Sequence, residues 1–377
     1  MSWRDCTLGD VITLQRGHDL PESNRKGGPI PVVSSSGITG YHDEARAEPP
    51  GVVTGRYGTL GEVYFVEEPY WPLNTALYVV NFKGNDPRFV AYFLRNTLRN
   101  YESEKAAVPG INRNVLHQFK VHVPDRPVQE SIVTVLAAYD DLIENNRRRI
   151  ALLEEAARML YREWFIHFRF PGHEHVRIID GLLPEKWEAL PASSAFEINP
   201  PRPSNGNEEI TYIPMAALSE SGMTVDHGHS EIRTKSTNVR FQNGDTLFAR
   251  ITPCLENGKT GFVNFLNENQ VACGSTEFIV LRGRRVSNYF AYLTARQETF
   301  RENAIRSMIG SSGRQRVQPN CFDRYRVPIP PPVLASVFDD QVSAMFEQIR
   351  NLDQQNQKLA QARDLLLPRL MNGEIAV

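Results

Sequence analysis

The chain has 377 residues, a formal net charge of −2 at pH 7 and 41 % hydrophobic residues, which is ordinary for a soluble globular protein of two or three domains. No apolar run approaches the roughly 20 residues that a membrane-spanning helix needs, and the first residues lack the apolar core of a signal peptide. We therefore expect a cytoplasmic protein with no membrane partner.

Residues 1–125 are predicted to form a first globular domain. Short β-like apolar runs alternate with turns, at residues 30–33, 51–54, 62–66 and 76–80. A helix is predicted from about Pro87 to Ser103, and residues 110–114 are predicted to form a loop behind it.

A long helix is predicted within residues 126–172. From Ile132 onward, apolar positions step by four and three residues, which is the heptad pattern of helices that pack along their length. Pro124 and Pro127 introduce the helix, and Pro171-Gly172 is predicted to end it.

Residues 173–330 are predicted to form a second globular domain of the same plan, and residues 331–377 a second long helix. Strands are predicted at residues 211–213, 245–249, 260–263 and 277–281. A helix is predicted from about Asn288 to Ile305, ahead of a loop at residues 311–316. The second heptad pattern begins at Phe338, and its helix is predicted to end near Gly373.

The two halves are an internal repeat. Residues 89–170 and 289–371 align at an offset that begins at 200 and settles at 206, and both heptad helices have the same register. Asn146, Asn356 and Arg363 interrupt the apolar seams, which weakens packing but fixes the pairing register. The residues predicted to pair the helices or to bind a partner are Leu136, Ile143, Ile150, Leu153, Leu160, Val342, Ile349, Leu352, Leu359 and Leu366. Two globular heads on a coiled-coil body would suit two separated places on a DNA duplex.

The choice of basic residues also favours DNA as a partner. Eight of the 42 basic residues are Lys, and the other 34 are Arg, whose planar forks match guanine edges and phosphates. Between Arg282 and Arg326 there are ten Arg and three acidic residues, a local net charge of +7. The predicted DNA-binding residues are Arg56, Tyr57, Asn112, Arg113 and Asn114 in the first head, and Arg250, Lys259, Ser312, Arg314, Gln315 and Arg316 in the second. Ordinary solvated surface loops are the alternative interpretation.

Several segments, in this order and with the duplication, resemble the specificity (S) subunit of type I restriction-modification enzymes. They are Leu8–Val11, Pro29–Tyr41, Gly55–Gly61, Gly274–Phe278 and Leu365–Ile375. The resemblance implies an α+β fold, with two α/β target-recognition domains separated by two long antiparallel α-helices that form a coiled coil. It implies a non-catalytic subunit that reads a bipartite asymmetric site in double-stranded DNA. Its partners would be two adenine methyltransferase (M) subunits and, through them, the restriction (R) subunits. Arg363 departs from an apolar seam and leaves the detail of helix pairing open.

The sequence also allows two other classes of protein to be compared with this one. A protein–protein scaffold with two heads and incidental Arg-rich surfaces is the main alternative. A self-sufficient methylase or nuclease is disfavoured, because the Asn-Pro-Pro segment at Asn199–Pro201 is followed by Arg202 and not by an aromatic residue. The four Cys show no CxxC spacing, so we expect no metal site, no disulfide framework and no cofactor.

Overall fold

A computed structural model describes residues 3–56, 61–99, 112–201, 209–235, 237, 239–311, 313–318 and 320–377. The chain divides into two compact units, Met1–Ile143 with Gln357–Val377 (unit 1) and Glu144–Asn356 (unit 2). Both borders fall inside long helices, so each unit contains a part of each helix. The four-segment division at residues 125, 172 and 330 stays a prediction.

Unit 1 has a mixed helix and strand content. Its elements in chain order are β1 (Trp3–Thr7), α1 (Leu8–Val11), β2 (Thr13–Arg16), β3 (Ile30–Ser34), β4 (Gly37–His42), β5 (Gly51–Gly55), β6 (Val63–Val66), β7 (Trp71–Pro72), β8 (Ala76–Asn81), α2 (Pro87–Leu98), α3 (Arg113–His117), β9 (Lys120–Pro124) and the first part of α4 (Arg126–Phe165). One sheet has the strand order β2-β8-β5-β6, a second has the order β4-β3-β7, and β1 pairs with β9.

Helix α2 shows why the sequence folds as it does in unit 1. The Asp86 side chain accepts hydrogen bonds from the backbone N–H groups of Arg88 and Phe89, and Pro87 occupies the first helical position. The apolar face of α2 then packs in the same core as α1 and strands of the four-stranded sheet. The helix ends at Leu98, five residues before the predicted end.

Unit 2 repeats this plan. Its elements are the last part of α4, β10 (Ile178–Ile179), β11 (Leu183–Pro184), β12 (Glu188–Pro191), α5 (Ala192–Ala195), β13 (Phe196–Ile198), β14 (Ile210–Ile213), β15 (Glu231–Arg233), β16 (Arg240–Phe241), β17 (Thr246–Ala249), β18 (Thr260–Phe262), β19 (Ala272–Gly274), β20 (Phe278–Gly283), α6 (Asn288–Ala295), α7 (Glu298–Arg306), α8 (Cys321–Arg324), β21 (Arg326–Ile329) and the first part of α9 (Pro332–Met371). The sheets have the orders β13-β20-β17-β18 and β15-β14-β19-β16, and β12 pairs with β21.

The two sheets of unit 1 have equivalents in unit 2, apart from one added strand. In both units the four-stranded sheet with β8 or β20 is antiparallel, and the second sheet contains one parallel pair, β3 with β7 or β14 with β19. Strand β16 lengthens the second sheet of unit 2. The predicted internal repeat is thus present in the strand order, and the predicted α+β content is confirmed.

Two further helix predictions were wrong. Helix α4 ends at Phe165 instead of continuing to Pro171, because Phe168 takes a positive φ of 56° and packs its ring against Trp187 with a centroid distance of 5.5 Å. The single helix predicted at residues 288–305 is two helices, α6 and α7, because Gln297 is extended and cannot continue the helix.

The seam residues of the long helices are all buried or half-buried. In unit 1, Ile132 and Leu136 of α4 share a core with Leu367 and Leu370 of α9. In unit 2, Phe165 of α4 packs against Phe338 of α9 with ring centroids 4.6 Å apart. Within each unit the early part of one helix therefore meets the late part of the other.

Candidate nucleic-acid interface

In unit 1 the predicted residues occupy two places. Arg56 follows β5 directly, is half-buried, and donates its backbone N–H to the Thr75 carbonyl at 2.9 Å. Tyr57 lies outside the described residues. Asn112, Arg113 and Asn114 form a group of their own at the start of α3.

The segment around Arg113 is a helix start and not a loop, which corrects the prediction. The Asn112 side chain accepts a hydrogen bond from the Asn114 backbone N–H at 2.9 Å and caps α3. The Asn112 carboxamide oxygen is therefore used within the chain, while the side chains of Arg113 and Asn114 are exposed. The His117 pKa is lowered by burial of the ring and by the positive charges of Arg113 and Lys83.

In unit 2, Arg250 and Lys259 are held by backbone carbonyls. The Arg250 guanidinium donates to the Val317 carbonyl at 3.3 Å, and the Lys259 ammonium donates to the Met215 carbonyl at 3.3 Å. Both residues are half-buried. We infer that these two cations support the loops that carry more exposed side chains.

The loop that carries Gln315 and Arg316 is joined to the end of β17. Thr252 donates its N–H to the Gln315 carbonyl at 3.1 Å, and Val317 donates to the Arg250 carbonyl at 2.9 Å. Arg250 is thus brought next to Gln315 and Arg316, which lie more than 60 residues later in the chain. Arg314 is exposed beside them, and Ser312 lies outside the described residues.

Glu277 is a site residue that the sequence reasoning missed. Its carboxylate accepts hydrogen bonds from Arg316, with Oε1 at 2.7 Å from Nη2 and 3.0 Å from Nε, and with Oε2 also 3.0 Å from Nε. These bonds raise the pKa of the Arg316 guanidinium. The available signal was its place in the Gly274–Phe278 segment, although nothing there indicated its partner.

The two units share a backbone hydrogen bond at equivalent turns, each just before a strand of the four-stranded sheet. Arg56 donates its N–H to Thr75, whereas Arg250 donates to Glu277 at 3.0 Å, and each acceptor directly precedes the equivalent strand, β8 or β20. Thr75 is therefore structurally equivalent to Glu277, and Arg56 is equivalent to Arg250.

Polar pairs occupy the helix seams. The Asn146 amide donates to the Asn356 carboxamide oxygen at 3.0 Å in unit 2. In unit 1, Arg363 donates to Asp140 of α4 at 2.5 Å and also binds Asp364. Arg363 is therefore accommodated by an acidic partner on the opposite helix.

The comparisons with known proteins agree on one family. The family model described as "Type I restriction modification DNA specificity domain" matches residues 2–155. The type I restriction enzyme MjaIX specificity subunit of Methanocaldococcus jannaschii is 25 % identical over 71 % of this chain, and the EcoAI specificity subunit of Escherichia coli is 32 % identical over 40 % of it. The chain is therefore similar to the specificity subunits of type I restriction-modification enzymes. The resemblance seen in the sequence is confirmed.

The sequence alignments span part of the length of these specificity subunits, whereas the structural match covers nearly the whole chain. The alignments span 63 % of the MjaIX subunit and 26 % of the EcoAI subunit. The crystal structure of a type I restriction-modification S subunit from M. genitalium matches 98 % of this chain and 96 % of that chain, with a TM-score of 0.56 and 12 % identity. At this identity the likeness shows the fold alone.

Specificity subunits of type I systems are non-catalytic DNA-recognition subunits. Across the ranges that the structure describes, no three His, Cys, Asp or Glu side chains are grouped so that they could hold a metal ion. None of the described helices has an apolar stretch that would cross a membrane.

Proposed function

We propose that this chain is a DNA-binding subunit that reads a bipartite, asymmetric site in double-stranded DNA, with one half-site for each unit. The observation that carries the proposal is the equivalence of the two sheets with unlike side chains at the same turn. Thr75 occupies that turn in unit 1, and Glu277 with Arg316 occupies it in unit 2. A repeated frame with different polar side chains is what two unlike half-sites require.

The reading residues follow from exposure and from hydrogen bonding. Arg316 and Gln315 offer a fork for guanine and an amide for adenine, and Arg113 with Asn114 offers the same pair of groups in unit 1. Arg250 and Lys259 already donate to carbonyl groups, so we assign them to loop support and to phosphate contacts.

The two helices would form the antiparallel coiled coil that separates the target-recognition domains and sets the distance between half-sites. Each has 40 residues and a length of roughly 60 Å. Two heads on one face of a duplex would lie about one helical turn apart, roughly 34–36 Å. The Asn146–Asn356 and Asp140–Arg363 pairs support a single register.

The proposed partners are two adenine methyltransferase subunits and, through them, the restriction subunits. Large apolar side chains lie exposed on α4, with Leu152 at 71 % and Met159 at 54 % exposure, two helical turns apart. Such a stripe on a helix suits a protein partner.

A genome-wide map of N6-methyladenine in the source strain, with and without this chain, tests the proposal. We expect one split motif to lose methylation on deletion and to regain it on complementation. An unchanged map would favour the protein–protein scaffold. Binding of the purified chain to DNA separates the two functions further, since DNA affinity should fall steeply with salt concentration and scaffold binding should not.

The proposed spacing role has its own test. Deleting the heptad Arg147–Leu153 of α4 together with Ile349–Gln355 of α9 shortens both helices by roughly 10 Å and keeps both polar pairs. We expect the preferred gap to shorten by about three base pairs. A single deletion in α4 is the control, because it breaks the pairing and should abolish split-site binding. An unchanged gap in the paired deletion would show that the helices do not set the distance.

A further inference from the structure

The guanidinium of Arg316 is only partly occupied by its ion pair. Nε and Nη2 both donate to Glu277, at 3.0 and 2.7 Å, whereas Nη1 makes a long contact of 3.5 Å with the Arg314 carbonyl oxygen. An arginine carries five N–H donors in one plane. The edge formed by Nη1 and the outer N–H of Nη2 therefore remains available, and two parallel N–H groups on that edge match O6 and N7 of guanine.

Both ends of this ion pair are fixed by backbone hydrogen bonds. Arg316 exchanges two backbone hydrogen bonds with Ile309, at 3.0 and 3.1 Å. The Glu277 carbonyl accepts from Arg250 at 3.0 Å, and the Glu277 N–H donates to the Ser275 hydroxyl at 3.2 Å. The Arg316 side chain is 44 % exposed, so its free edge can meet a ligand without movement of the loop.

The charge of the pair also separates Arg316 from an ordinary phosphate contact. Its positive charge is compensated by Glu277, in a stretch of chain whose local net charge is +7. A guanidinium whose charge is neutralised by an ion pair adds little to the non-specific attraction to DNA phosphates. When the pair also fixes its orientation, it adds much to the discrimination between bases. Arg314, which is exposed, is the better phosphate candidate in the same loop.

We propose that Glu277 is a positioning residue that fixes the Arg316 fork so that unit 2 reads a guanine in its half-site. This inference rests on the proposed function and deepens it by naming the base. It applies to unit 2 alone, because the equivalent position in unit 1 is Thr75, which has no carboxylate.

The test is selection from a randomised duplex DNA library by the full-length chain and its variants. The wild type is expected to enrich a split motif with a guanine in one half-site. Glu277→Ala should lower the preference for that guanine about tenfold and leave the other half-site unchanged. Glu277→Gln preserves the side-chain shape and should have a smaller effect. Arg316→Lys preserves the charge without the fork and should abolish the preference. Adding Glu277→Ala to Arg316→Lys should cause no further loss.

The Glu231–Arg233 pair supplies a matched control. Its two hydrogen bonds have lengths of 2.9 and 2.7 Å and join the same two side-chain types in the same unit. Glu231→Ala should leave the motif unchanged, and an equal loss of guanine preference in this variant would overturn the inference.

The other outcomes are distinguishable. If Glu277→Ala raises affinity for all sequences and the motif stays the same, Arg316 contacts phosphate, and the inference is wrong while the proposed function stands. A wild-type chain that enriches no motif would reject the proposed function and the inference together.

Discussion

Units 1 and 2 share a sheet order but attach to the long helices through different polar contacts. In unit 1 the hydroxyl of Tyr92 donates to Asp140 of α4, and Arg363 of α9 binds the same carboxylate. In unit 2 the hydroxyl of Tyr292 donates to Glu154 of α4 at 2.6 Å. The tyrosine is retained at equivalent places in the repeat, whereas its acidic partner comes from the early part of α4 in one unit and from the late part in the other.

The two carboxylates accept from a tyrosine in the same way but differ in how deeply they are buried. The Glu154 side chain is 4 % exposed and that of Asp140 is 28 % exposed. Glu154 also accepts from the Met223 backbone N–H at 2.8 Å and binds Arg158, with Arg296 nearby at 3.8 Å. The duplicated fold therefore accepts different carboxylates as the anchor between a unit and α4, Asp140 in unit 1 and Glu154 in unit 2. The more deeply buried anchor, Glu154, contacts more residues of its unit.

The largest expected effect follows from removing the deeper anchor. Glu154→Ala leaves the buried charge of Arg296 without a nearby carboxylate, and the Tyr292 hydroxyl and Met223 N–H without their acceptor. We expect unit 2 to lose about 3–5 kcal/mol of unfolding free energy. Chemical denaturation combined with hydrogen exchange resolved by segment measures this loss. Glu154→Gln is the control, since it keeps an acceptor for Tyr292 and should lose less.

Asp140→Ala tests the shallower anchor in unit 1. Arg363 retains its ion pair with Asp364, and the Asp140 side chain is 28 % exposed, so water can take its place beside Tyr92. We therefore expect a loss of about 1–3 kcal/mol. The same denaturation experiment applies. Losses of equal size in the Asp140 and Glu154 variants would contradict the view that burial decides the difference.

Replacing the Asn146–Asn356 pair should have a smaller effect on stability, with a loss in the single variant and a recovery in the double variant. Asn146→Leu leaves the Asn356 amide without its partner and should cost about 1 kcal/mol, whereas the double replacement by Leu should recover that loss. We expect the double variant to pair its helices less uniquely, which cross-linking between cysteines placed along α4 and α9 can measure. A double variant with one unchanged register would show that the pair does not specify alignment.

The smallest predicted effect is a pH dependence confined to unit 1. The Leu14 backbone N–H donates to Nε2 of His117 at 3.0 Å, which requires a neutral ring. Because the folded pKa of His117 lies below its ordinary value of 6.5, the unfolded chain binds the proton first. The associated stability is present above about pH 6.5 and is lost as the pH falls through the folded pKa.

Thermal unfolding between pH 7 and pH 5 checks this dependence. His117→Gln keeps an acceptor that does not titrate, so part of the acid loss should disappear. His175→Gln, at a residue whose side chain is 84 % exposed, is the control and should retain the full loss. A wild-type chain with no greater acid sensitivity than His117→Gln would contradict the assignment.

The sequence predicted some parts of the interface and missed others for identifiable reasons. Arg56 and Arg250 were both among the predicted residues, and the structure places them at equivalent turns, each directly after an apolar strand. Asn112 was placed in a loop, although a capping side chain before a helical turn is a local signal that could have been used. Glu277 was missed because its partner Arg316 lies 39 residues away, and no local pattern indicates such a contact.

Heptad spacing, strand alternation and the offset of 206 determined the long helices and the duplicated heads. These properties are periodic along the chain, so they can be read without knowing any long-range contact. The tertiary structure alone decided that Arg363 pairs with Asp140, that Asn146 pairs with Asn356 and that Arg316 pairs with Glu277. Each of these pairs depends on directions that are set only when distant segments pack, because a side chain acquires its partner from the fold and not from its neighbours in sequence.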